Sequence, residues 1–479
     1  MAHVTNFNLD QKFEFTAGLK KSVLTIGVIG AVLLIIGVLT AMFGGGDHGH
    51  GEAAGHQTEH VEATVDHHAE EAGHGEEEHQ IEAGHSEAAH AGGEHSEAGH
   101  EDSGHGGYHW SKRFFANLWI NNVYFAGIAI IGVFFFAIQY AAQAGWATPI
   151  LRVMLSFGNW LPFAAILMIV TYFIAGHDLF HWTHASLFDP NSPDYDHIID
   201  GKGGFFYWPF AKGSFPIFWV VRMVLFFGIW IFFFNKLKNL SLQEDIKGGN
   251  SYWFTMRKWS AIFLVVFAVS SSISAWDWVM SIDTHWFSTL FGWYVFASWF
   301  VAGLSAITLV TILLKEKGYL EMINENHLHD LGKFIFGFSI FWTYLWFSQF
   351  LLIYYANIPE ESVYFLERLA SDIYGPFIFV NIILNFVLPF LLLMTRDSKR
   401  HTIFLKVVCT TIILGHWVDF FLMVQPGTLG HNGGIGFMEI GMLLLYASVV
   451  IMVVFNNLGK KNLIPKNHPM LEESYHHHI

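Results

Sequence analysis

The stretch SSSISAWDWVMSIDTHWFSTLFG, residues 270–292, decides how this chain is read. Two long apolar runs meet there with almost no loop between them, and Asp277, Asp283 and His285 fall within nine residues among Trp276, Trp278 and Trp286. A charged side chain near a bilayer centre costs several kcal/mol, so such residues are rare in membrane spans and are functional candidates by default.

The rest of the 479 residues fit that setting: 53% are hydrophobic, 17% aromatic and only 14% charged, and mean hydropathy is +0.38. Soluble domains carry about 25% charged residues, so this is the composition of a polytopic membrane protein. A spanning helix needs roughly 20 apolar residues. Ten segments qualify, near 22–43, 114–142, 150–176, 214–235, 257–281, 287–314, 331–356, 372–395, 402–424 and 435–457. The expected fold is therefore an all-α polytopic membrane protein, two four-helix bundles with peripheral helices. The first segment follows Lys20 and Lys21 and ends in MFGGG without a small-x-small cleavage pattern, so it reads as an anchor rather than a signal peptide.

Basic residues set the orientation. With the N terminus in the cytoplasm, nineteen Lys and Arg lie inside and only Lys112, Arg113, Lys202, Lys212 and Arg368 outside. Both termini, including the 458–479 tail, are then cytoplasmic, and the 283–290 turn faces outward, periplasmic in a Gram-negative cell. The expected location is a bacterial inner membrane.

The formal charge of −15 is mostly local, because sixteen acidic residues and no Lys or Arg lie between Asp47 and Asp102. The whole 44–110 segment is low-complexity and belongs outside; fourteen of the 29 histidines fall between Asp47 and His109. Too apolar-poor to offset its ordering entropy, it is expected to be disordered. It reads either as a solvated acidic spacer or as a weak binder of zinc, copper or nickel through His48, His50, His56, His60, His67 and His68. The lone cysteine, Cys409, excludes disulfides within the chain, covalent haem through C-x-x-C-H and a Cys-ligated iron–sulfur cluster. No nucleic-acid-binding basic stripe is present.

Polar groups inside the spans are few. Helix 3 ends GHDLFHWTH, which puts His177, His181 and His184 on one face beside Asp178 if the helix continues. Such a set suits a metal, a proton path or plain headgroup contact. Arg222 in helix 4 is the only Lys or Arg well inside a span and needs an acidic partner, for which Asp277 is the natural candidate. His416 and Asp419 stand at i, i+3 in helix 9, and Glu439 lies in helix 10. Asp277, His416, Asp419 and Glu439 read either as a proton-conducting set or as structural pairs. Gln349, Asn381 and Asn385 read as glue between helices.

Four stretches go further: KGGFFYWPFAKGSFPIFWVVR, AWDWVMSIDTHWFSTLFGWYVFA, FSQFLLIYYANIPEES and GHWVDFFLMVQP. They resemble the ActF subunits of alternative complex III, the bacterial quinol:cytochrome c oxidoreductase, within the NrfD-like (polysulfide reductase membrane subunit) superfamily. The resemblance covers roughly 110–457, and the His-rich loop has no family role to carry over. It implies a membrane subunit beside a second NrfD-like subunit, with a multihaem cytochrome c subunit carrying haem c and an iron–sulfur subunit on the periplasmic side. A terminal oxidase is a further partner it allows. It implies no redox cofactor on this chain and no catalysis by the chain alone, but proton conduction and a second site for menaquinone or ubiquinone. On that reading Asp277, His416, Asp419 and Glu439 form the relay, Asp283, His285, His177 and Asp178 its outer exit, and Arg222 a tuning charge. A proton-coupled metal transporter and a purely structural scaffold remain as rival classes.

Overall fold

The computed structural model describes residues 8–43 and 109–478. The His-rich stretch, with the six histidines named above, lies outside the described residues. Among the described residues ten helices are long and apolar enough to cross a membrane: helix 1 (Ala17–Phe43), helix 2 (Trp110–Ala141), helix 3 (Thr148–Leu179), helix 4 (Ile217–Lys247), helix 5 (Asn250–Ile282), helix 6 (Phe291–Glu316), helix 7 (Glu325–Ala356), helix 8 (Gly375–Leu392), helix 9 (Thr402–Asn432) and helix 10 (Phe437–Leu458). Helices 4, 5, 7 and 9 run several residues beyond the apolar segments expected from sequence. Hydropathy marks only the part facing lipid or core, whereas the hydrogen-bonded ladder continues into polar ends such as Asn235–Lys247.

Helices 2, 3, 4 and 5 close one ring of neighbours and helices 6, 7, 8 and 9 a second; helix 2 touches helices 6 and 9, and helix 5 touches helix 6. Helix 2 is the most enclosed span and buries Trp119, Tyr124, Phe135 and Tyr140. Lipid is as apolar as these side chains, so the rings hold through dispersion and close packing rather than water exclusion. Among the described residues no β-strand forms; a single bridge, Lys12 to Asn462, joins the segment before helix 1 to the segment after helix 10. Both segments therefore lie at one face of the bundle, here the terminal face, and the turn at residues 283–290 lies at the opposite, far face.

Helix 1 packs along helix 10 and touches little else. The contact depends on small residues. A Cβ on Gly30 would meet the Leu445 nitrogen at 2.6 Å, and one on Gly441 would overlap the Leu34 nitrogen. Replacing Gly441 with Leu is expected to cost about 1–3 kcal/mol through this overlap. A lower midpoint of thermal unfolding in detergent would report it, and an unchanged midpoint would mean that helix 1 contributes nothing to stability.

Helix 3 does not continue through its histidines. Its last turns carry a non-helical residue at Ala175, and Phe180 is extended (φ −119°, ψ 99°) before a 3₁₀ turn at His181–Thr183. The expected single face of three imidazoles is thus broken, although the His184 ring lies 5.5 Å from His177 and 5.6 Å from His181.

Candidate functional site: buried carboxylates along the bundle

Asp277, in the last turn of helix 5, is fully buried and held by both arms of Arg222 from helix 4. Nε donates to Oδ2 at 2.8 Å and Nη2 to Oδ1 at 2.7 Å. The remaining guanidinium nitrogen donates to the Phe205 carbonyl at 2.8 Å, and the Phe205 and Phe218 rings lie 4.4 and 4.5 Å from the charge. This bidentate pair is the one the sequence anticipated. It occupies both oxygens of Asp277 and belongs to the first ring of helices.

His416 and Asp419 lie in the second ring. Asp419 Oδ1 accepts from the Tyr294 hydroxyl of helix 6 and from Asn381 Nδ2 of helix 8 at 2.9 Å; Oδ2 accepts from Trp342 Nε1 of helix 7 at 2.9 Å. His416 Nδ1 stands 3.8 Å from Oδ2 and shares a hydrogen bond of 3.0 Å with Ser298 Oγ, while its buried Nε2 has no protein partner. Asn381 thus joins helix 8 to helix 9, as expected of an interhelical amide, and does so as a direct ligand of the carboxylate; Asn385 supports it through a 2.6 Å bond to Asn381 Oδ1. Asn385 lies within a π-helical turn of helix 8 at Ile383–Val387, and Asn381 two residues before it; such insertions are often found at functional positions.

A cavity of about 20 Å³ opens beside Asp419, lined by Tyr294, Gln349, Asn381, Trp286, Tyr364 and Arg368 among others. That is room for about one water molecule. Gln349 Oε1, buried and unbonded within the protein, gives such a water an acceptor. Arg368 connects the cavity to the far face: Nη2 donates to Asp283 Oδ2 at 2.7 Å, Nε to the Leu422 carbonyl at 2.8 Å and Nη1 to the Tyr364 carbonyl at 2.8 Å. Its charge lies 3.5 Å from the centre of the Tyr364 ring, which stacks on Trp286 at 3.9 Å. Burial pushes the Asp283 carboxyl above its ordinary range, and Arg368 is the main opposing influence. Gly427 of helix 9 makes this approach possible, since a Cβ there would meet Asp283 Oδ1 at 2.5 Å.

Outside Asp283, His285 Nε2 donates to Asp196 Oδ2 at 2.5 Å. Lys202 donates to the carbonyls of Thr284 and His285, the latter at 2.9 Å, and burial pushes its ammonium down to about 8. Asp196 also caps the short helix His197–Tyr207 by accepting from the Ile198 and Ile199 amides at 2.8 and 3.0 Å. Burial works to raise its pKa, but His285 and the two amides outweigh it and hold the carboxyl below its ordinary range. A carboxyl held low adds stability above its unfolded value of about 3.9 and loses it as pH falls through the lower folded one. Protection of the Ile198 and Ile199 amides, measured against their intrinsic exchange rates, should be constant from pH 7 to 5 and fall below about pH 4. Constant protection through that lower window would show that the clasp does not depend on the ionised carboxylate.

Glu439 forms a separate site in the first turn of helix 10. Arg113 holds it at 2.6 and 2.8 Å, and Asn117 Nδ2, Gln425 Nε2 and the Gly436 amide complete it at 2.8, 3.3 and 2.8 Å. From there Asn117 and Asn121 of helix 2 lead along the contact with helix 9, where Trp417 Nε1 donates to Asn121 Oδ1 at 3.2 Å. His177 and Asp178 are exposed at the far face, and His177 Nδ1 shares a 3.0 Å bond with Thr183 Oγ1.

The proton-conducting set expected from sequence is thus divided among three places. Asp277 is clamped in the first ring, Glu439 is clamped at helix 10, and Asp419, beside His416, lines a cavity whose wall includes Arg368, the partner of Asp283. No family model and no curated protein matches this chain. Among the described residues no three His, Cys, Asp or Glu side chains stand together as a metal site. Sequence reasoning missed Arg368, Arg113 and Tyr294 as partners. Asn117, Asn121 and Asn122 inside an apolar run were a signal available for helix 2.

Proposed function

We propose that this chain is a proton-handling membrane subunit of a quinol:cytochrome c oxidoreductase of the alternative complex III kind, without a redox cofactor of its own. The observation that carries the reading is the setting of Asp419. Asp277, Asp283 and Glu439 each hold a guanidinium, whereas the contacts of Asp419 are a hydroxyl, an indole, an amide and, farther off, an imidazole. A carboxylate with no fixed cation in contact can gain and lose a proton without breaking an ion pair. It also stands beside an imidazole and against a cavity that leads to Arg368 and Asp283.

Quinol oxidation releases two protons with two electrons, and a relay for them needs groups that exchange protons within hydrogen-bonding reach. On this reading His416 and Asp419 accept protons within the second ring, and a water in the cavity carries them past the Arg368–Asp283 pair, which stays ion-paired and lines the exit, to the far face near His285. Asp277 neutralises Arg222, and Glu439 anchors helices 2, 9 and 10. The electrons travel on haem c and iron–sulfur clusters of partner subunits: a second NrfD-like subunit, a multihaem cytochrome c and an iron–sulfur protein. For the quinone component we assign the groove of about 750 Å³ between helices 6 and 7, lined by Trp293, Phe296, Phe338 and Phe341, with Asp330 and Lys333 at one end. A photoreactive quinone analogue should label Phe338 or its neighbours; labelling confined to other helices would remove the groove from the proposal. The far face is then periplasmic and the membrane the bacterial inner one. The deciding experiment is the Asp419→Asn exchange in the intact assembly, with proton release and electron transfer read separately.

A further inference from the structure

At the terminal face, a second polar pocket of about 40 Å³ opens between helices 3, 4 and 10 and the segment that follows helix 10. Its polar lining comes from Arg152, Asn159, Lys238, Asn457, Lys461 and Asn462, with the Ser156 hydroxyl, which donates to the Val153 carbonyl. Three cations and three amides thus share a space with room for about three water-sized groups.

Carboxylates take up only part of this donor capacity: Asp245 pairs with one arm of Arg152, and the hydrogen bond of Lys238 goes to a neutral acceptor. Arg152 is 6% exposed, and only its Nη2 is bonded within the protein, to Asp245 Oδ2 at 2.6 Å and the Ser241 carbonyl at 3.0 Å. Its buried Nε and Nη1 have no protein partner, and Glu244, the other buried carboxylate at this end of helix 4, makes no hydrogen bond to them. Lys238 Nζ donates to a neutral acceptor, Asn159 Oδ1, at 2.6 Å, and Lys460 to Asn457 Oδ1 at 3.3 Å. The remaining carboxylate nearby, Asp10, is held by Lys466 and accepts one hydrogen bond from Asn462 Nδ2 at 3.4 Å. Buried donors without acceptors are costly, and a guanidinium with two ammonium groups around a small polar space matches a tetrahedral oxyanion in both charge and donor geometry. Basic pockets between membrane helices at the level of the headgroups are suited to anionic lipid phosphates.

We propose that this pocket binds a phosphate group, with Arg152, Lys238 and Lys461 as its cationic ligands and Asn159, Asn457 and Asn462 as neutral ones. The phosphate comes either from the headgroup of an anionic phospholipid in the adjacent leaflet or from a soluble phosphate. The site lies at the opposite end of the bundle from the Asp419 cavity and does not depend on the function proposed above.

The test uses the full chain in nanodiscs. One arm counts, by native mass spectrometry, the phosphatidylglycerol retained over phosphatidylcholine from a mixed bilayer. The other titrates inorganic phosphate against thermal unfolding in pure phosphatidylcholine. The Lys238→Gln/Lys461→Gln pair is compared with Lys258→Gln/Lys317→Gln, two exposed lysines of the same face, so that both variants lose equal charge. The pocket pair should weaken binding by about tenfold or more in the arm that matches the source, and the control pair by less than about twofold. Equal losses in the two pairs, or wild-type protein with neither a phosphatidylglycerol preference nor a phosphate-dependent shift, overturn the proposal. Should the pocket pair not fold, Lys461→Gln at its exposed position serves alone, and wild-type binding in that variant overturns it as well.

Discussion

Asp419→Asn is expected to lower proton release coupled to quinol oxidation by about 10²-fold or more, the usual loss when a proton-transferring group is removed. The substitution keeps the volume but gives the site an NH₂ where Tyr294, Asn381 and Trp342 already donate. One donor must then face another, at a cost of about 1–3 kcal/mol, so a modest fall in the unfolding midpoint accompanies the loss. The two effects separate in Trp342→Phe, which removes one donor and leaves the carboxylate: stability should fall while most proton release survives. Proton release is read with a pH dye in vesicles holding the intact assembly, and electron transfer by cytochrome c reduction. Normal release from Asp419→Asn would remove this residue from the path and leave the scaffold reading in its place.

The second large effect concerns Arg222. Removing it alone, as in Arg222→Ala, strands the fully buried Asp277 and should cost about 3–5 kcal/mol, seen as a sharp drop in unfolding midpoint or failure to accumulate in the membrane. Replacing the pair together, Arg222→Met with Asp277→Leu, should recover most of that loss, because well-packed apolar residues often match a buried ion pair. The double variant also decides the role of Asp277. Stable protein with normal proton release assigns the residue to charge neutralisation alone, whereas a stable protein that has lost release returns it to the relay.

These two sites differ in how far they were legible beforehand. The spans followed from apolar length, and the Arg222–Asp277 pair followed because a single cation in a span demands a counter-charge and few carboxylates lay at its depth. Asp419 was visible as a buried acid near His416, but its ligands were not. Tyr294 and Trp342 are two among 16 Tyr and 18 Trp, and nothing local distinguishes a donor from a packing ring. Arg368 stood in a short amphipathic segment between helices 7 and 8 and counted only toward orientation; its burial arises from helix 9 and Tyr364 closing over it. Sequence gives depth along a helix well, but the rotation of each helix and its neighbour across the ring arise only from packing. The break after Leu179 was hidden for the same reason, since His181 and Trp182 suit a helix as well as the 3₁₀ turn they form.

The pairing of helix 1 with helix 10 also orders events in time. Helix 1 is made well before helix 10, its main partner, so the 411 positions that separate Gly30 from Gly441 must be added before the two can meet. At 5–20 residues per second that delay is on the order of 20–80 s. Until then the glycine face of helix 1 is open to any other small-residue surface in the bilayer.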